Sequence, residues 1–440
     1  HWADPTSLEF LTAIVPDIIP NNRVLLVVTH RPPLDLGWNG YDHVSYLSLD
    51  RLTPTQSREI VQRVMGDKAC PAEVMHDIIE NADGVPLFVE ELARSAAEQI
   101  DTEGVSHIRL PSTLEDSLRG RLDRLSLGKS VVQTAAVFGR RFYLSLLRPI
   151  LQMDERRLAP AIQEPVDANI IFPADDHGDE TMLFRHALVQ HAAYQGLLRA
   201  QRKELHARIA ELLLEHRPGL AETEPETLAR HFAGSGQYAE AIQYLLAAGQ
   251  RATSRAGQIE ATNHYLAALD LLKELPASPE RDAQEVLLQA LLGGALMATR
   301  GFAAPDVYDA FARARELCVA LGDNPMYCSC LYGLFTVNAS RSNKQEAIAL
   351  AEEMLATFGR SPVTSWAIAA HFAAGNAMFF QGKLKEAQHH FEHAVALYSD
   401  DQHGPLVEQF GDDLAEFSLC YLQWVYLLYG QVDVSGSYLD

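Results

Sequence analysis

Several groups of side chains have types and spacings that could do chemistry. His389 and His393 stand four apart, a spacing at which two imidazoles can share one metal ion on a helix. They lie opposite the apolar Phe391/Ala394 face, and no third ligand stands nearby, which favours solvated surface. His186 and His191 are five apart and not on one helical face, so packing or surface is expected of them. Cys328 and Cys330, two apart on a predicted helix, point to different sides and read as buried or free thiols. Arg31 follows an apolar run, where a guanidinium can cap a strand and pair with an acid. Asp4 is placed to cap a helix that starts at residue 5. Gly84-Val85-Pro86 is a turn signal ahead of a helix. The phosphate-loop pattern G-x-x-x-x-G-K-[ST] occurs nowhere in the sequence.

The elements that must position these residues fall into four regions, 1–50, 51–108, 109–220 and 221–440. In the first, Leu8, Leu11, Ile14 and Ile18 predict an amphipathic helix over 6–19, bent at Pro16. Residues 23–29 are an apolar, β-branched run between turn residues, which predicts a strand buried on both faces, and 44–49 predicts a second strand. The second region is all helical, with starts at Thr53-Pro54, Pro71 and Leu87. The third is mixed. Ser112-Thr113 caps a helix, further helices follow, and 170–172 and 182–184 predict a β-hairpin, so that three helices and a hairpin give a winged-helix plan. Arg119, Arg121 and Arg124 lend this region some positive charge.

From residue 222 onward everything is predicted helical, and it repeats. Gln237-Tyr238-Ala239-Glu240-Ala241 recurs in outline at Gln258–Ala261, Lys344–Ala347 and Leu384–Ala387. Small residues at fixed helical positions allow close packing, and units that cannot bury their faces alone must stack. The fold class expected is therefore mostly α: the tail end of an α/β domain, a small all-helical unit, a winged-helix plan and a stacked helical superhelix.

Composition narrows the function. With 36 Lys+Arg against 58 Asp+Glu the net charge is −22, which disfavours a nucleic-acid partner, because phosphate binding runs on Lys and Arg. The 5 cysteines are sparse and odd in number, so a disulfide framework is not expected and a reducing, cytoplasmic setting is. No run reaches the ~18 apolar residues of a membrane span. The chain opens on His1-Trp2, without an initiator Met or signal-peptide pattern, and is expected to be a segment of something longer.

The segment His1–Glu9 resembles the stretch just after the Walker B acids of STAND-type AAA ATPases. Thr29-His30-Arg31-Pro32 is similar to the sensor-1 position of that family, and Gly84-Val85-Pro86-Leu87-Phe88-Val89-Glu90-Glu91 to the G-x-P motif of its helical lid. Pro111–Asp123, Ala135–Phe142 and Phe184–Gln190 resemble its winged-helix region and the exit from it. The match covers nearly the whole chain, strongly over 1–35 and 84–210 and more weakly after 270. It is closest to bacterial ATPase–TPR proteins, often joined to an N-terminal class III adenylate/guanylate cyclase.

That resemblance implies a mostly α fold made of a remnant of an α/β P-loop NTPase domain, a helical lid, a winged helix and a TPR-like superhelix, and it implies roles. Arg31 would reach a γ-phosphate, Thr29 would end the sensor strand, Gly84 would permit the tight turn, and Pro86 would pack near the base. An intact parent would use ATP and Mg as a switch. The present sequence has neither phosphate loop nor Walker B acids, so no catalytic or metal residue is expected in it, nor tight binding of either cofactor. Its helical repeats would take a protein, a peptide or a small ligand. Two alternatives stand beside this: an ATPase–TPR transcription regulator with a C-terminal DNA-binding domain, and a nucleotide-independent TPR scaffold.

Overall fold

The computed structural model describes residues 5–30, 37–66, 68, 70–103, 110–111, 113–174, 181–322, 325–399 and 403–431. The chain is mostly α-helical, with one small sheet. It divides into two units. One comprises Asn39–Ala221 and Arg230–Gln237; the other comprises His1–Trp38, Glu222–Ala229 and Tyr238–Asp440. Helix α1 (Pro5–Asp17) belongs to the second.

The unit holding residues 39–221 begins with α2 (Pro54–Met65), α3 (Ala72–Ala82) and α4 (Pro86–Glu103). Thr53 starts α2 with a reciprocal cap: its hydroxyl accepts from Gln56 N at 3.3 Å, and its own N–H donates to Gln56 Oε1 at 2.9 Å. The three helices close a core around Val61, Met65, Ile78, Leu92, Ala93 and Ala96. Next come α5 (Leu114–Asp123), α6 (Gly128–Phe138), β1 (Arg141–Tyr143), α7 (Leu144–Leu151), α8 (Glu155–Asp167), β2 (Ile171–Pro173), β3 (Thr181–Phe184), α9 (Ala187–Gln195) and α10 (Arg199–His216). Thr113 and Asp154 cap α5 and α8, accepting from Asp116 N at 3.1 Å and Arg157 N at 2.9 Å. The sheet is antiparallel in the order β1-β3-β2, with Phe142 opposite Met182 and Ile171 opposite Phe184. Phe142 and Phe184 are fully buried, their ring centroids 5.6 Å apart.

A buried ion pair crosses this unit. Glu91 on α4 is 4% exposed and Arg121 on α5 is 6% exposed. Arg121 donates to Glu91 Oε1 at 2.5 Å, and its other terminal nitrogen donates to the carbonyl of Ala168, just past α8. The carboxylate and the carbonyl thus divide the guanidinium between three helices. The arginine expected to add surface charge is instead an internal tie. Arg124 is paired with Glu98, and of the three only Arg119 is exposed without a described acid partner.

Two strand expectations are not met. Residues 23–29 and 44–49 form no strand, and Leu25, Val27, Leu47 and Leu49 stand open to solvent. A parallel strand needs backbone partners at its edges, and the only strands among the described residues are β1, β2 and β3, which pair with one another.

After α11 (Leu220–Thr223) and α12 (Pro225–Ser235), the second unit is a series of helices: α13 (Tyr238–Ser254), α14 (Gln258–Leu272), α15 (Pro279–Arg300), α16 (Pro305–Leu321), α17 (Tyr327–Ser340), α18 (Lys344–Phe358), α19 (Thr364–Phe380), α20 (Leu384–Ala396), α21 (His403–Phe410) and α22 (Leu414–Leu428). From α13 to α20 each helix packs on the next, and α22 packs on both α19 and α20, as in a TPR-like array. The recurring Ala241, Ala261, Ala347 and Ala387 are all buried. A second recurrence lies between helices. Gly249 faces Tyr265, Gly293 and Gly333 both face Phe311, and Gly375 faces Phe391; a Cβ on any of these glycines would fall 2.3 to 2.7 Å from a ring atom. Glycine inside a helix costs about 1 kcal/mol against alanine, which burial of a whole aromatic ring more than offsets.

Arg121→Ala should strand the Glu91 carboxylate and destabilise the protein by about 3–5 kcal/mol. The double change Glu91→Gln with Arg121→Met should recover most of that in thermal unfolding. An Arg121→Ala protein as stable as the parent would show that the pair holds nothing together.

Candidate functional site

Three helices of the second unit present matching faces. On α17 Tyr332, Phe335, Thr336, Ala339 and Ser340 recur at steps of three and four. On α19 Phe372, Asn376 and Phe380 do the same, as do Phe417, Cys420, Tyr421 and Trp424 on α22. Together with Phe302 and Asp412 they line an open cavity of about 580 Å³, within the range of small-ligand sites. The rings are mutually supported. Phe372 packs 6.2 Å from Phe417 and 6.0 Å from Tyr421, and Tyr421 meets Trp424 edge-on at 5.4 Å. The buried Asn376 amide hydrogen-bonds the Tyr421 side chain and fixes the direction of its hydroxyl.

The turn before α22 places one carboxylate at this cavity. Gly411, at φ 84°, turns the chain, and Asp413 then caps α22, its Oδ1 accepting from Ala415 N at 3.0 Å and Glu416 N at 3.3 Å. Asp412, one residue earlier, is left to face the aromatic walls. Burial pushes its carboxyl above the usual carboxylate range, and its charge in turn helps to raise the buried Tyr332 hydroxyl. No Lys, Arg or His among the described residues forms an ion pair with it. No sequence motif marks this site, because its residues lie on three stretches of chain whose apolar stripes read separately as core.

The nucleotide-element residues stand elsewhere. Arg31 and Asp4 lie outside the described residues. Thr29 is exposed and belongs to no strand. Gly84 and Pro86 form the α3–α4 connection in the other unit. Gly84 is buried at φ 68°, its carbonyl accepts from Leu52 N at 2.8 Å, and a Cβ there would lie 2.5 Å from Leu52 O. Arg51 secures the same turn by donating to Asp83 O at 3.2 Å and pairing with the Asp83 carboxylate. Pro86 is the first residue of α4 and is exposed, where its missing N–H costs nothing. The structure therefore brings Gly84 and Pro86 together and places Thr29 in the other unit.

The histidines sort differently from their spacing. His389 and His393 are exposed, as expected of a solvated face, but the His393 ring lies 4.2 Å from that of His371 on α19. The bonded pair is His371 with His390, Nδ1 to Nδ1 at 3.0 Å. Among the described residues no group of three or more His, Cys, Asp or Glu stands where it could hold a metal ion. Cys328 and Cys330 are buried thiols.

A second histidine pair, unmarked by any motif, lies in the other unit. Arg230 donates to Phe138 O at 2.6 Å and meets His231 Nε2 at 3.2 Å. Arginine can only donate, so His231 Nε2 accepts and its proton sits on Nδ1. That proton points at His206 Nδ1, 3.0 Å away, leaving His206 protonated on Nε2 and donating to the Tyr194 hydroxyl at 3.1 Å. Both rings are neutral. Burial, followed by the Arg230 charge, holds His206 at about 4 and His231 well below its ordinary value.

Comparison with known proteins gives distant likenesses. No family model matches the sequence. Over 327 residues the chain is 29% identical to an uncharacterized protein of Rhizobium meliloti (strain 1021), covering 72% of this chain and 32% of that protein. The chain thus spans about a third of the length of the curated relative it matches. Among solved structures it is similar to BtubC from P. vanneervenii (TM-score 0.37, 16% identity, 56% of this chain and 89% of that one). It is also similar to a Signal Transduction ATPase with Numerous Domains (STAND) protein with a tetratricopeptide repeat sensor from Pyrococcus horikoshii (TM-score 0.32, 10% identity, 91% and 73%).

Gly84→Ala should cost at least about 1–2 kcal/mol, the price of a left-handed non-glycine residue, and open the α2–α4 core. Hydrogen exchange across residues 54–100 should read the loss, and unchanged protection would show the turn to be permissive. Acid should also weaken the protein. In the unfolded chain the two histidines titrate near about 6.5, while folding keeps them neutral to lower pH. Their contribution is full above that value and is lost as pH falls from there towards 4. The midpoint of urea unfolding should drop between pH 7 and pH 5, and should drop less in His206→Gln. An equal drop in both proteins would rule the pair out as the cause.

Proposed function

We propose that this chain is the sensing region of an ATP-dependent signalling protein. In this reading α2–α4 are the nucleotide-responsive lid, α5–α9 with the small sheet are a winged-helix connector, and α13–α22 are a TPR-like array that receives the signal. The observation that carries the sensing role is the aromatic cavity between α17, α19 and α22, with its unpaired Asp412 carboxylate. Helical arrays often serve only as flat protein scaffolds, whereas a concave, largely aromatic site with a few polar groups suits a specific ligand. The resemblance of residues 84–91 to a STAND lid supports the nucleotide end. In a longer chain with a phosphate loop upstream, Thr29 and Arg31 would belong to the sensor strand, and a nucleotide cyclase is one output compatible with the resemblance.

The geometry also suggests how lid and connector would communicate. Pro86 and Glu91 lie on the same helix, little more than one turn apart. A nucleotide that moved the Pro86 end of α4 would move Glu91, and through it Arg121 on α5 and the end of α8.

Mg-ATP titrated calorimetrically into the 440-residue chain should give no micromolar site, because the phosphate cradle and its lysine do not occur in it. A micromolar site would overturn the division of labour proposed here and make this chain a nucleotide-binding unit in its own right.

A further inference from the structure

The composition of the cavity restricts what can occupy it. Its walls are the rings of Tyr332, Phe372, Phe417, Tyr421 and Trp424, and of the side chains that line it, the Cys420 thiol among them, Asp412 is the one carboxylate. An uncharged apolar ligand would fill the volume but would remove the remaining water from that carboxylate and offer nothing in return, which is costly. An anion would meet a like charge at short range. A cation answers both features. It pairs with Asp412, and its remaining surface lies against the negative faces of the rings, the arrangement by which aromatic walls hold ammonium groups. The protein's net charge of −22 also raises the local concentration of cations around it.

Size separates a small ligand from a bare ion. About 580 Å³ exceeds what one ammonium group needs and matches a molecule with an apolar body as well. The exposure of Phe417 (40%) and Trp424 (54%) marks the open side, where that body would be covered. We infer that the cavity between α17, α19 and α22 binds a small organic cation, its alkylammonium or quaternary ammonium group seated beside Asp412 among the aromatic faces. This rests on the reading of the array as the sensing region and supplies the chemical class that it senses.

The test uses the full 440-residue chain, with calorimetry and tryptophan fluorescence as readouts. The probes are benzyltrimethylammonium, choline and the uncharged carbon isostere of choline, 3,3-dimethyl-1-butanol. At least one ammonium probe should bind with submillimolar affinity and quench or shift the tryptophan emission, and the neutral isostere should bind about tenfold more weakly or worse. Asp412→Asn should cut ammonium affinity about tenfold while leaving the neutral probe unchanged. Trp424→Leu, at a half-exposed position, should weaken the ammonium probes with no change in thermal midpoint. A neutral isostere that binds as well as choline, or ammonium binding that survives Asp412→Asn intact, overturns the cation assignment while leaving the array as a ligand sensor. Failure of every probe, charged and neutral, overturns both. Binding of a trilysine peptide with none of the small ammonium probes would overturn the small-molecule assignment in favour of a peptide partner.

Discussion

A buried charge cannot be left alone, and in the unit holding residues 39–221 that constraint organises everything around α4. Glu91 is withdrawn from water and is tolerable there only because Arg121 reaches it, and Arg121 is tolerable only because Ala168 takes its second terminal nitrogen. Between the three-helix core of α2–α4 and the helices leading to the small sheet, the other ion pair, Arg124 with Glu98, is exposed, so Glu91 with Arg121 is the one withdrawn from water among the described residues. The pair fixes their register to a single arrangement. It also places the tie on the helix that starts at the exposed Pro86, so the part of the molecule most like a nucleotide lid is mechanically joined to the part that follows it.

The second unit carries its polar ties between neighbouring helices, Arg313 with Glu285 and Arg315 with Glu353, and these are only partly withdrawn from water. Around the cavity it relies on shape, on alanines where helices touch and on glycines where a ring from a neighbouring helix must enter. The contrast bears on function. A ligand entering between α17, α19 and α22 meets a surface held by aromatic edges and by one amide, Asn376, rather than by salt bridges. Such surfaces can shift their rotamers at modest cost, while a divided guanidinium shifts as a whole or not at all. In the proposed reading, the adaptable surface would receive the signal and the buried pair would pass it on.

How much of this could be read from sequence depended on the range of each interaction. Helices announced themselves, since their periodicity and caps are local: Thr53 with Gln56 and Thr113 with Asp116 are three residues apart. The hairpin of β2 and β3 was legible because two apolar runs flank one polar stretch, whereas β1, three residues long like β2, pairs with β3 across two intervening helices. The segment 23–29 has the composition of a strand but lacks a pairing partner among the described residues, and composition cannot supply one. Contacts across long separations were invisible. Arg121 lies 30 residues from Glu91 and read as surface charge, and His390 lies 19 from His371, so attention fell on the better-spaced His389 and His393. The cavity was hidden in a different way. Each of its faces is a proper helical stripe, and nothing in one stripe says that two others meet it across a space instead of filling it.

The glycine–aromatic contacts divide the array into pieces of unequal independence. Gly249 serves Tyr265, and Gly375 serves Phe391, each joining one helix to its successor. Phe311 is gripped twice, by Gly293 before it and by Gly333 after it. Helices α15, α16 and α17 are therefore a single mechanical block, because α16 cannot leave without emptying sockets on both neighbours. In a linear array each element is held by its neighbours. Since α17, at the end of the block, supplies one wall of the cavity and α22 another, whatever bridges them acts as a clasp between the block and the end of the array.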